Sequence, residues 1–198
     1  MSFHQFIQDG AGWEREKCET QFENPHLKVW NVQVRTPSRT DGVNWTVVHR
    51  KAGAVVVPMT AEGNLVLVRQ ERVPIHEAIW EFPAGQIDES TAHDDAAIRG
   101  AALRELREEA DYVLSEGGEL ISMGHYFTSP GFTDEHSYLF LAKPVVPSDS
   151  GQELDQNEVI TECRAFSPEQ FRAMIASNEI HDANTLCAFA RMCAMGLL

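Results

Sequence analysis

Two short segments, EFPAG at Glu81–Gly85 and RELREEADY at Arg104–Tyr112, organise the rest of the chain. If the second segment is a helix, Glu105, Glu108 and Glu109 share one face, because their spacing is i, i+3 and i+4. Like charges at this spacing destabilise an isolated helix by roughly 0.2–0.5 kcal/mol per pair, and a divalent cation would remove that repulsion. Carboxylate oxygens are the ligands that Mg²⁺ and Mn²⁺ prefer. The segment therefore predicts a metal site on one face of the helix.

A second, apolar face of this helix and the flanking sequence predict a sheet against which the helix packs. About 100° further round lies a stripe typical of a buried helix face, formed by Ala102, Leu103, Leu106 and Ala110. Period-two alternation and β-branched runs predict strands on both sides of the helix, over residues 27–34, 43–50, 52–59, 64–70, 78–82, 119–125, 136–142 and 159–166. Strands with few interleaved helices indicate an α+β domain with a mixed sheet rather than a doubly wound one.

Turn signals define how these strands connect. A turn at residues 37–42 makes an N-terminal hairpin of the first two strands, and a turn at residues 60–63 makes a second hairpin. Gly117–Gly118 is expected to break the chain before the strand at residues 119–125. Residues 1–25 predict no more than a short helix or a loose tail. Two C-terminal helices are predicted, one that opens at Ser167–Glu169 and one over Asp182–Met195.

Composition limits the classes of function. With 198 residues, 43% of them hydrophobic, the chain can bury one core, so we expect one compact domain with a small N-terminal appendage. A formal net charge of −14 argues against broad contact with a nucleic acid. The four cysteines show no zinc or redox spacing and are expected to be reduced packing residues. Neither a signal peptide nor a membrane span is indicated, so we predict a cytoplasmic protein without a membrane partner.

The two opening segments resemble the signature of the Nudix hydrolases, in which a glycine and a spaced glutamate precede Arg-Glu-apolar-any-Glu-Glu. Four segments are similar to those of the ADP-ribose pyrophosphatases of that family, namely Val68–Arg72, Trp80–Gly85, Thr128–Glu135 and Ile180–Leu186. Several motifs in the right order are more specific than one. The resemblance implies a Nudix α/β/α sandwich with a mixed β-sheet at residues 51–198. It also implies an N-terminal β-hairpin region at residues 1–50 that mediates a homodimer.

The chain departs from the family pattern ahead of the helix. The spaced glutamate falls on Thr91, and the distance from Gly85 to Arg104 is five residues longer than in the family. Five residues turn a helix by about 140° beyond whole turns. We therefore expect the extra residues to extend its N-terminal end, where Thr91 and Asp94 resemble a capping box. Asp111 replaces a glycine, and aspartate tolerates a left-handed helix end. The usual glutamate partner of Arg104 is missing, and the candidates to replace it are Glu89, Asp94 and Asp95.

The resemblance also implies roles for the catalytic and metal-binding candidates. The metal ligands would be the carbonyl oxygen of Ala84 and the carboxylates of Glu105, Glu108 and Glu109. Glu158 occupies the place of a loop glutamate that acts as general base or late metal ligand; the alternative is a plain loop carboxylate, with Glu153, Asp155 and Glu162 as competitors. The catalytic candidates are Glu158, Glu108 and Arg104. Among them, Arg104 is expected to orient the loop through salt bridges.

The substrate-binding candidates are spread along the chain. Trp30 and Trp45 stand where related enzymes sandwich an adenine between tryptophans, although an aromatic side chain on a strand is ordinarily a packing residue. With Arg50 they would lie at the dimer interface and contribute to a site shared between subunits. A guanidinium forks onto phosphate oxygens, so the candidates for phosphate contacts are Arg50, Arg69 and, preferred among them, Arg72. Pro130, in the Ser-Pro-Gly loop, would shape the pocket for the distal sugar or be part of a simple turn.

Together these residues predict Mg²⁺- or Mn²⁺-dependent hydrolysis of a nucleoside diphosphate sugar, ADP-ribose first, to AMP and ribose 5-phosphate. GDP-mannose or another nucleotide sugar is the alternative substrate within this class. A catalytically weak nucleotide-sugar binding module is the alternative of another class, since the altered signature has lost a glutamate. A Nudix enzyme that processes nucleic acid is disfavoured by the acidity of the chain.

Overall fold

The computed structural model describes residues 12–88 and 94–198, which form two β-sheets and three helices. The N-terminal sheet comprises β1 (Glu14–Glu23), β2 (Lys28–Thr36) and β3 (Arg39–His49). The larger sheet comprises β4 (Gly53–Thr60), β5 (Leu65–Arg72), β6 (Glu77–Glu81), β7 (Ala84–Gln86), β8 (Tyr112–Phe127), β9 (His136–Pro147) and β10 (Ile160–Phe166). The helices are α1 (Asp95–Ala110), α2 (Pro168–Ala176) and α3 (Ala183–Ala194).

The larger sheet is mixed, as predicted. Its main strand order is β10-β5-β4-β9-β8, with β6 paired to β5 and β7 paired to β4. Strands β4 and β9 run parallel, whereas the other pairs are antiparallel. The connection between the two parallel strands includes α1 and β8, which is the type of crossover that a parallel pair requires.

Helices cover both faces of the larger sheet, which confirms the α/β/α sandwich. In β4, Ala54 and Val56 pack with the apolar side of α1, whereas Val55 and Val57 pack with α2 and α3 on the other face. All four side chains are fully buried, as expected for a strand covered on both sides. No helix in the described part of the chain is long and apolar enough to cross a membrane.

Helix α1 begins where a side-chain cap is available and ends in a left-handed residue. Asp94 is its N-cap and accepts a hydrogen bond from the Ala96 amide, while Asp111 follows the last turn with φ 56°. The helix end tolerates aspartate, as predicted. Ala102, Leu106 and Ala110 are buried, but the prediction for Leu103 was wrong, because this side chain is 37% exposed beside the packed stripe. The residues inserted before Arg104 lie in the helix, consistent with its extension at the N-terminal end.

The N-terminal sheet confirms the predicted hairpin and corrects the prediction for residues 12–25, whereas residues 1–11 lie outside the described residues. Strands β2 and β3 pair antiparallel, and β1 adds a third strand where a short helix or loose tail was expected. Every residue of β1 is exposed, so no apolar alternation marks it in the sequence. Its backbone ladder to β2 and ion pairs such as Arg35–Glu16, at 2.7 Å, hold it in place.

Of two local predictions about the larger sheet, the second hairpin is confirmed over a short ladder only, and the break at Gly117–Gly118 was wrong. The turn at residues 60–63 forms, but β4 and β5 pair only at Met59–Leu65 and then diverge toward different neighbours. Gly117–Gly118 does not break the chain, because β8 continues through it with a shift of register between Leu114 and Glu119. Gly117 has φ 74°, so the glycine is used for a bulge within one strand.

Candidate active site

The EFPAG segment lies directly against α1. Ala84 and Gly85 are in β7, which pairs with Val55 and Ala54 of β4. A Cβ atom built on Gly85 would overlap the carboxylate of Glu105. Glycine at this position therefore lets the β7 backbone approach the acidic face of the helix.

Glu109 is the most deeply buried acid of that face. Its side chain is 1% exposed, and its Oε2 accepts a hydrogen bond of 2.8 Å from the Ala84 amide. Its Oε1 has no hydrogen-bond partner among the described residues, although it is buried. Burial raises the pKa of Glu109 to about 8, with a further rise from the charges of Glu105 and Glu158. The site thus holds one buried oxygen that lacks a donor or a cation.

Arg104 connects the other two acids of the face. Its Nη2 lies 2.5 Å from Glu105 Oε1 and its Nε 3.4 Å from Glu108 Oε2. The same Nη2 donates at 3.2 Å to the carbonyl oxygen of Gln86, the last residue of β7. Burial raises the pKa of Glu105 despite the opposing effect of Arg104. Arg104 therefore forms salt bridges as expected, with Glu105 and Glu108 as its partners, and its orienting role stays a prediction.

The residues proposed as substitutes for the missing signature glutamate do not partner Arg104 where they are described. Asp94 caps the helix, and Asp95 pairs with Arg99 at 3.2 Å. Thr91 and Glu89 lie outside the described residues. Within the described structure, the acids that pair with Arg104 are instead Glu105 and Glu108 of the helix face itself.

The acidic loop between β9 and β10 brings Glu158 toward this face. Glu158 is half-buried, and its Oε2 accepts a hydrogen bond of 3.1 Å from the Asp155 amide. Its charge acts on both Glu105 and Glu109, where it raises the pKa of each. Of the competing loop acids, Glu153 pairs with Arg107 at 2.9 Å and Glu162 with Arg69 at 3.0 Å. Glu158 is thus a loop acid whose charge reaches Glu105 and Glu109, and its role as the base stays a prediction.

A buried polar chain supports the EFPAG segment from behind. The Phe82 amide donates to Thr185 Oγ1 at 3.0 Å, and this hydroxyl donates to Asp182 Oδ2 at 2.8 Å. Thr185 is fully buried at the first turn of α3. No role was predicted for Thr185 or Asp182, although both lie in the Ile180–Leu186 segment that is similar to the pyrophosphatases. A threonine three residues after an aspartate at a helix start was the available signal.

Arg72 and Arg69, like Arg50, are already engaged by acids. Arg72 forms a bidentate pair with the buried Glu81, with contacts of 2.8 and 2.5 Å. Burial raises the pKa of Glu81 more than Arg72 lowers it. Arg69 lies three residues before Arg72 in β5, where it contacts Glu162 and the carbonyl oxygen of Ala78. The hydrogen bonds to Glu81, with a smaller contribution from the charge of Glu109, raise the pKa of Arg72.

The N-terminal sheet contacts the loop that contains Pro130 within the same chain. Trp45 Nε1 donates to the Gly131 carbonyl at 3.1 Å, and the Val48 amide donates to the Phe132 carbonyl at 2.8 Å. Arg50 lies 2.9 Å from Glu135. Pro130 itself is exposed at the tip of this loop. One chain therefore brings two binding candidates, Trp45 and Arg50, to the predicted distal-sugar loop.

The two tryptophans lie on the same face of the N-terminal sheet. In the β2–β3 register Trp30 is opposite Val47 and Trp45 is opposite Val32, so both side chains point to one side. Trp30 stacks on His49, with ring centroids 4.6 Å apart, and His49 Nδ1 lies 2.6 Å from Asp134 Oδ2. Trp45 is 52% exposed and is therefore available to a ligand.

Comparison with known proteins identifies the family. The NUDIX domain matches residues 49–189. The chain belongs to the Nudix hydrolase family. An ADP-ribose pyrophosphatase of Bacillus subtilis is 32% identical over 142 residues, 72% of each chain, and a methanol dehydrogenase activator of Bacillus methanolicus is 32% identical over 172 residues, 87% of this chain and 88% of that one. The crystal structure of an ADP compounds hydrolase superposes with a TM-score of 0.72 at 17% identity, covering 92% of this chain and 93% of that one, which shows the shared fold.

Nudix hydrolases generally use divalent metal ions, and the chemistry of this site fits such an ion. The donors are hard oxygens, and the buried Glu109 Oε1 would gain the partner that it lacks. The described acidic, histidine and cysteine side chains do not yet form a group of three around one point. Glu105 and Glu108 are turned toward Arg104 instead. A cation at this face would therefore compete with Arg104 for these two carboxylates.

Proposed function

We propose that this Nudix enzyme hydrolyses the pyrophosphate bond of a nucleoside diphosphate sugar, with ADP-ribose as the first candidate substrate. The observation that carries the proposal is the buried carboxylate of Glu109, which has one unpartnered oxygen beside two further acids and the β7 backbone. Similarity to ADP-ribose pyrophosphatases of Bacillus subtilis, Mycobacterium tuberculosis and Saccharomyces cerevisiae supports the substrate class. The expected products are AMP and ribose 5-phosphate.

We propose Glu105, Glu108, Glu109 and the Ala84 carbonyl as ligands for Mg²⁺ or Mn²⁺. When bound, such an ion neutralises pyrophosphate charge and lowers the pKa of a water molecule. Glu158 would accept the proton of the attacking water as its oxygen bonds to phosphorus and the bridging P–O bond breaks. Arg104 would orient the loop that follows β7, since it already contacts the carbonyl of Gln86 at the end of β7. Arg72, Arg69 and Arg50 are proposed to contact the phosphates, and Pro130 to border the sugar.

A substrate panel tests this function. The full chain would be incubated with ADP-ribose, GDP-mannose, UDP-glucose and diadenosine polyphosphates, each with Mg²⁺, with Mn²⁺ or with a chelator, and the released nucleotides would be separated by anion-exchange chromatography. We expect metal-dependent release of AMP from ADP-ribose and none from the Glu108→Gln variant. Preferential release of GMP from GDP-mannose would move the assignment to the alternative substrate. Product release in the chelator, or tight binding without turnover, would contradict the proposed hydrolase.

Glu158→Gln is expected to lower kcat by about 10²–10³-fold, because the variant keeps the shape of the side chain but cannot accept a proton. The binding of ADP-ribose should change little, since the charge of Glu158 is not assigned to the substrate. Initial rates over a range of substrate concentrations measure both quantities. Glu119→Gln, which alters an exposed acid on β8, is the matched control and should behave as wild type. A Glu158→Gln enzyme with normal kcat would exclude Glu158 as the base.

Trp45→Ala is expected to raise KM for ADP-ribose about tenfold with kcat nearly unchanged, because stacking on a base contributes about 1–3 kcal/mol. Trp13→Ala is the control, since Trp13 is similarly exposed, at 50% against 52% for Trp45, and carries no proposed role. Steady-state kinetics distinguish the two variants. Equal KM values for wild type and Trp45→Ala would remove Trp45 from the binding site.

The homodimer and the division into residues 1–50 and 51–198 stay predictions, as does cytoplasmic location. Within one chain, Trp45 and Arg50 already contact the loop at residues 128–135. A second subunit is therefore not needed to bring these two residues to that loop. Sedimentation equilibrium of the full chain and of a Trp45→Ala variant would measure the oligomeric state and any contribution of this face to it.

A further inference from the structure

Asp111, the residue that replaces the family glycine, holds the chain that follows β9. Its main-chain carbonyl accepts a hydrogen bond of 2.9 Å from the Ser148 amide, and its Oδ1 accepts one from the Ser148 hydroxyl. The Ser150 hydroxyl also donates to this Oδ1, at 3.3 Å. These bonds, first that from Ser148, lower the pKa of Asp111. A glycine could provide the carbonyl and the left-handed backbone but none of the side-chain contacts.

The contacts continue from Asp111 along the end of α1. The Glu153 amide donates to the Glu108 carbonyl at 3.0 Å, and the Gln152 side chain donates to the Glu109 carbonyl. Arg107 pairs with Glu153 at 2.9 Å. Residues 148–153 thus cover carbonyl groups that the helix leaves free at its C-terminal end.

Glu158 lies between this segment and β10. At the far side, the Glu71 amide donates to the Val159 carbonyl at 2.9 Å, and Ile160 pairs with Gln70. A tight turn, in which the Glu158 amide donates to the Asp155 carbonyl at 3.0 Å, connects the two attachments. The chain around Glu158 is therefore held at both ends. Loss of the attachment through residues 148–153 would free the chain around Glu158 to move away from α1.

We propose that Asp111 is a positioning residue for the reaction: its carboxylate anchors residues 148–153 to the end of α1 and thereby keeps Glu158 beside Glu105 and Glu109. The inference rests on the proposed function in one respect, the assignment of Glu158 as the base. In this chain, the residue that ends α1 is also the attachment point of the loop that carries Glu158.

Asp111→Gly tests the inference because glycine favours the left-handed conformation and should leave the helix end intact. We expect kcat for ADP-ribose to fall about tenfold, a loss equivalent to about 1.4 kcal/mol, with KM within twofold of wild type. Amide hydrogen exchange within residues 148–158 should become faster. Asp111→Asn keeps Oδ1 as an acceptor and should restore most of both quantities. Ser148→Ala, which removes one of the donors, should give a smaller loss in the same direction.

A double variant separates positioning from a merely structural role. If Asp111 acts through Glu158, Asp111→Gly should lower kcat no further in a Glu158→Gln background. A multiplicative loss in the double variant would overturn the inference, as would unchanged exchange or unchanged kcat in Asp111→Gly. If the wild-type protein hydrolyses none of the nucleotide sugars, the proposed function fails. In that case slower exchange of residues 148–158 in wild type than in Asp111→Gly would still support the anchoring, and equal exchange would refute it.

Discussion

Glu109→Gln is expected to give a protein that is more stable than wild type and nearly inactive. The pKa of about 8 means that the folded, metal-free protein keeps a proton on Glu109 that the unfolded chain releases above about pH 4.5. Raising the pH from 5 to 8 therefore lowers the free energy of unfolding of the wild type. Glutamine resembles the neutral acid at every pH, so most of this loss should disappear, and at pH 8 the variant should melt at least about 5 °C higher.

The same substitution should lower kcat by at least about 10³-fold, because the amide cannot serve as an anionic ligand. Thermal melts of the metal-free proteins between pH 5 and 8, together with turnover of ADP-ribose in Mg²⁺, measure the two effects. Glu179→Gln, at an exposed acid between α2 and α3, should change neither. A fully active Glu109→Gln enzyme would refute the metal-ligand assignment. An unchanged pH dependence of melting would refute the burial of a protonated acid.

Gly85→Ala is expected to separate activity from stability in a different way. The added Cβ would overlap the carboxylate of Glu105, which is the flexible end of a long side chain and can move aside. The fold should therefore survive, with a change in melting temperature of only a few degrees. Turnover should fall about 100-fold or more, because Glu105 would be displaced from the acidic face. Kinetics and thermal melts of the same preparation provide both readings.

Gly100→Ala is the matched control for that variant. It makes the same chemical change within α1, where a Cβ meets nothing within 4 Å. Alanine should stabilise the helix by about 1 kcal/mol relative to glycine and leave kcat unaltered. If Gly85→Ala turned over substrate as fast as Gly100→Ala, close approach of β7 to Glu105 would be irrelevant to catalysis.

The features that the sequence predicted well are those with a local pattern. The acidic and apolar faces of α1 follow from side-chain spacing alone, and buried β-branched runs identified β4 and β5. The same logic failed for Leu103, because spacing gives the direction of a side chain but not the width of the surface that covers it. It failed for β1 as well, since an edge strand with every residue exposed depends on pairing rather than on burial.

The parts of the site that the sequence could not give depend on contacts between distant segments. Thr185 meets the Phe82 amide across 103 residues, and no periodicity relates the two. The pairing of Trp45 with the Gly131 carbonyl is similarly remote. Burial of Glu109 is the clearest case, because the Glu-Glu pair looks equally charged in the sequence. Only the fold shows that Glu109 is enclosed while Glu108 stays partly exposed to water.

Arg104 has a consequence for how the protein responds to cations. Its guanidinium is a tethered counterion shared by Glu105 and Glu108, so one positive charge already offsets part of the negative charge of the acidic face in the folded chain. Folding of this domain then need not await a metal, unlike that of small domains whose metal supplies the folding energy. An incoming ion would compete with this arginine for the carboxylates, so its measured affinity would be the difference between two electrostatic interactions.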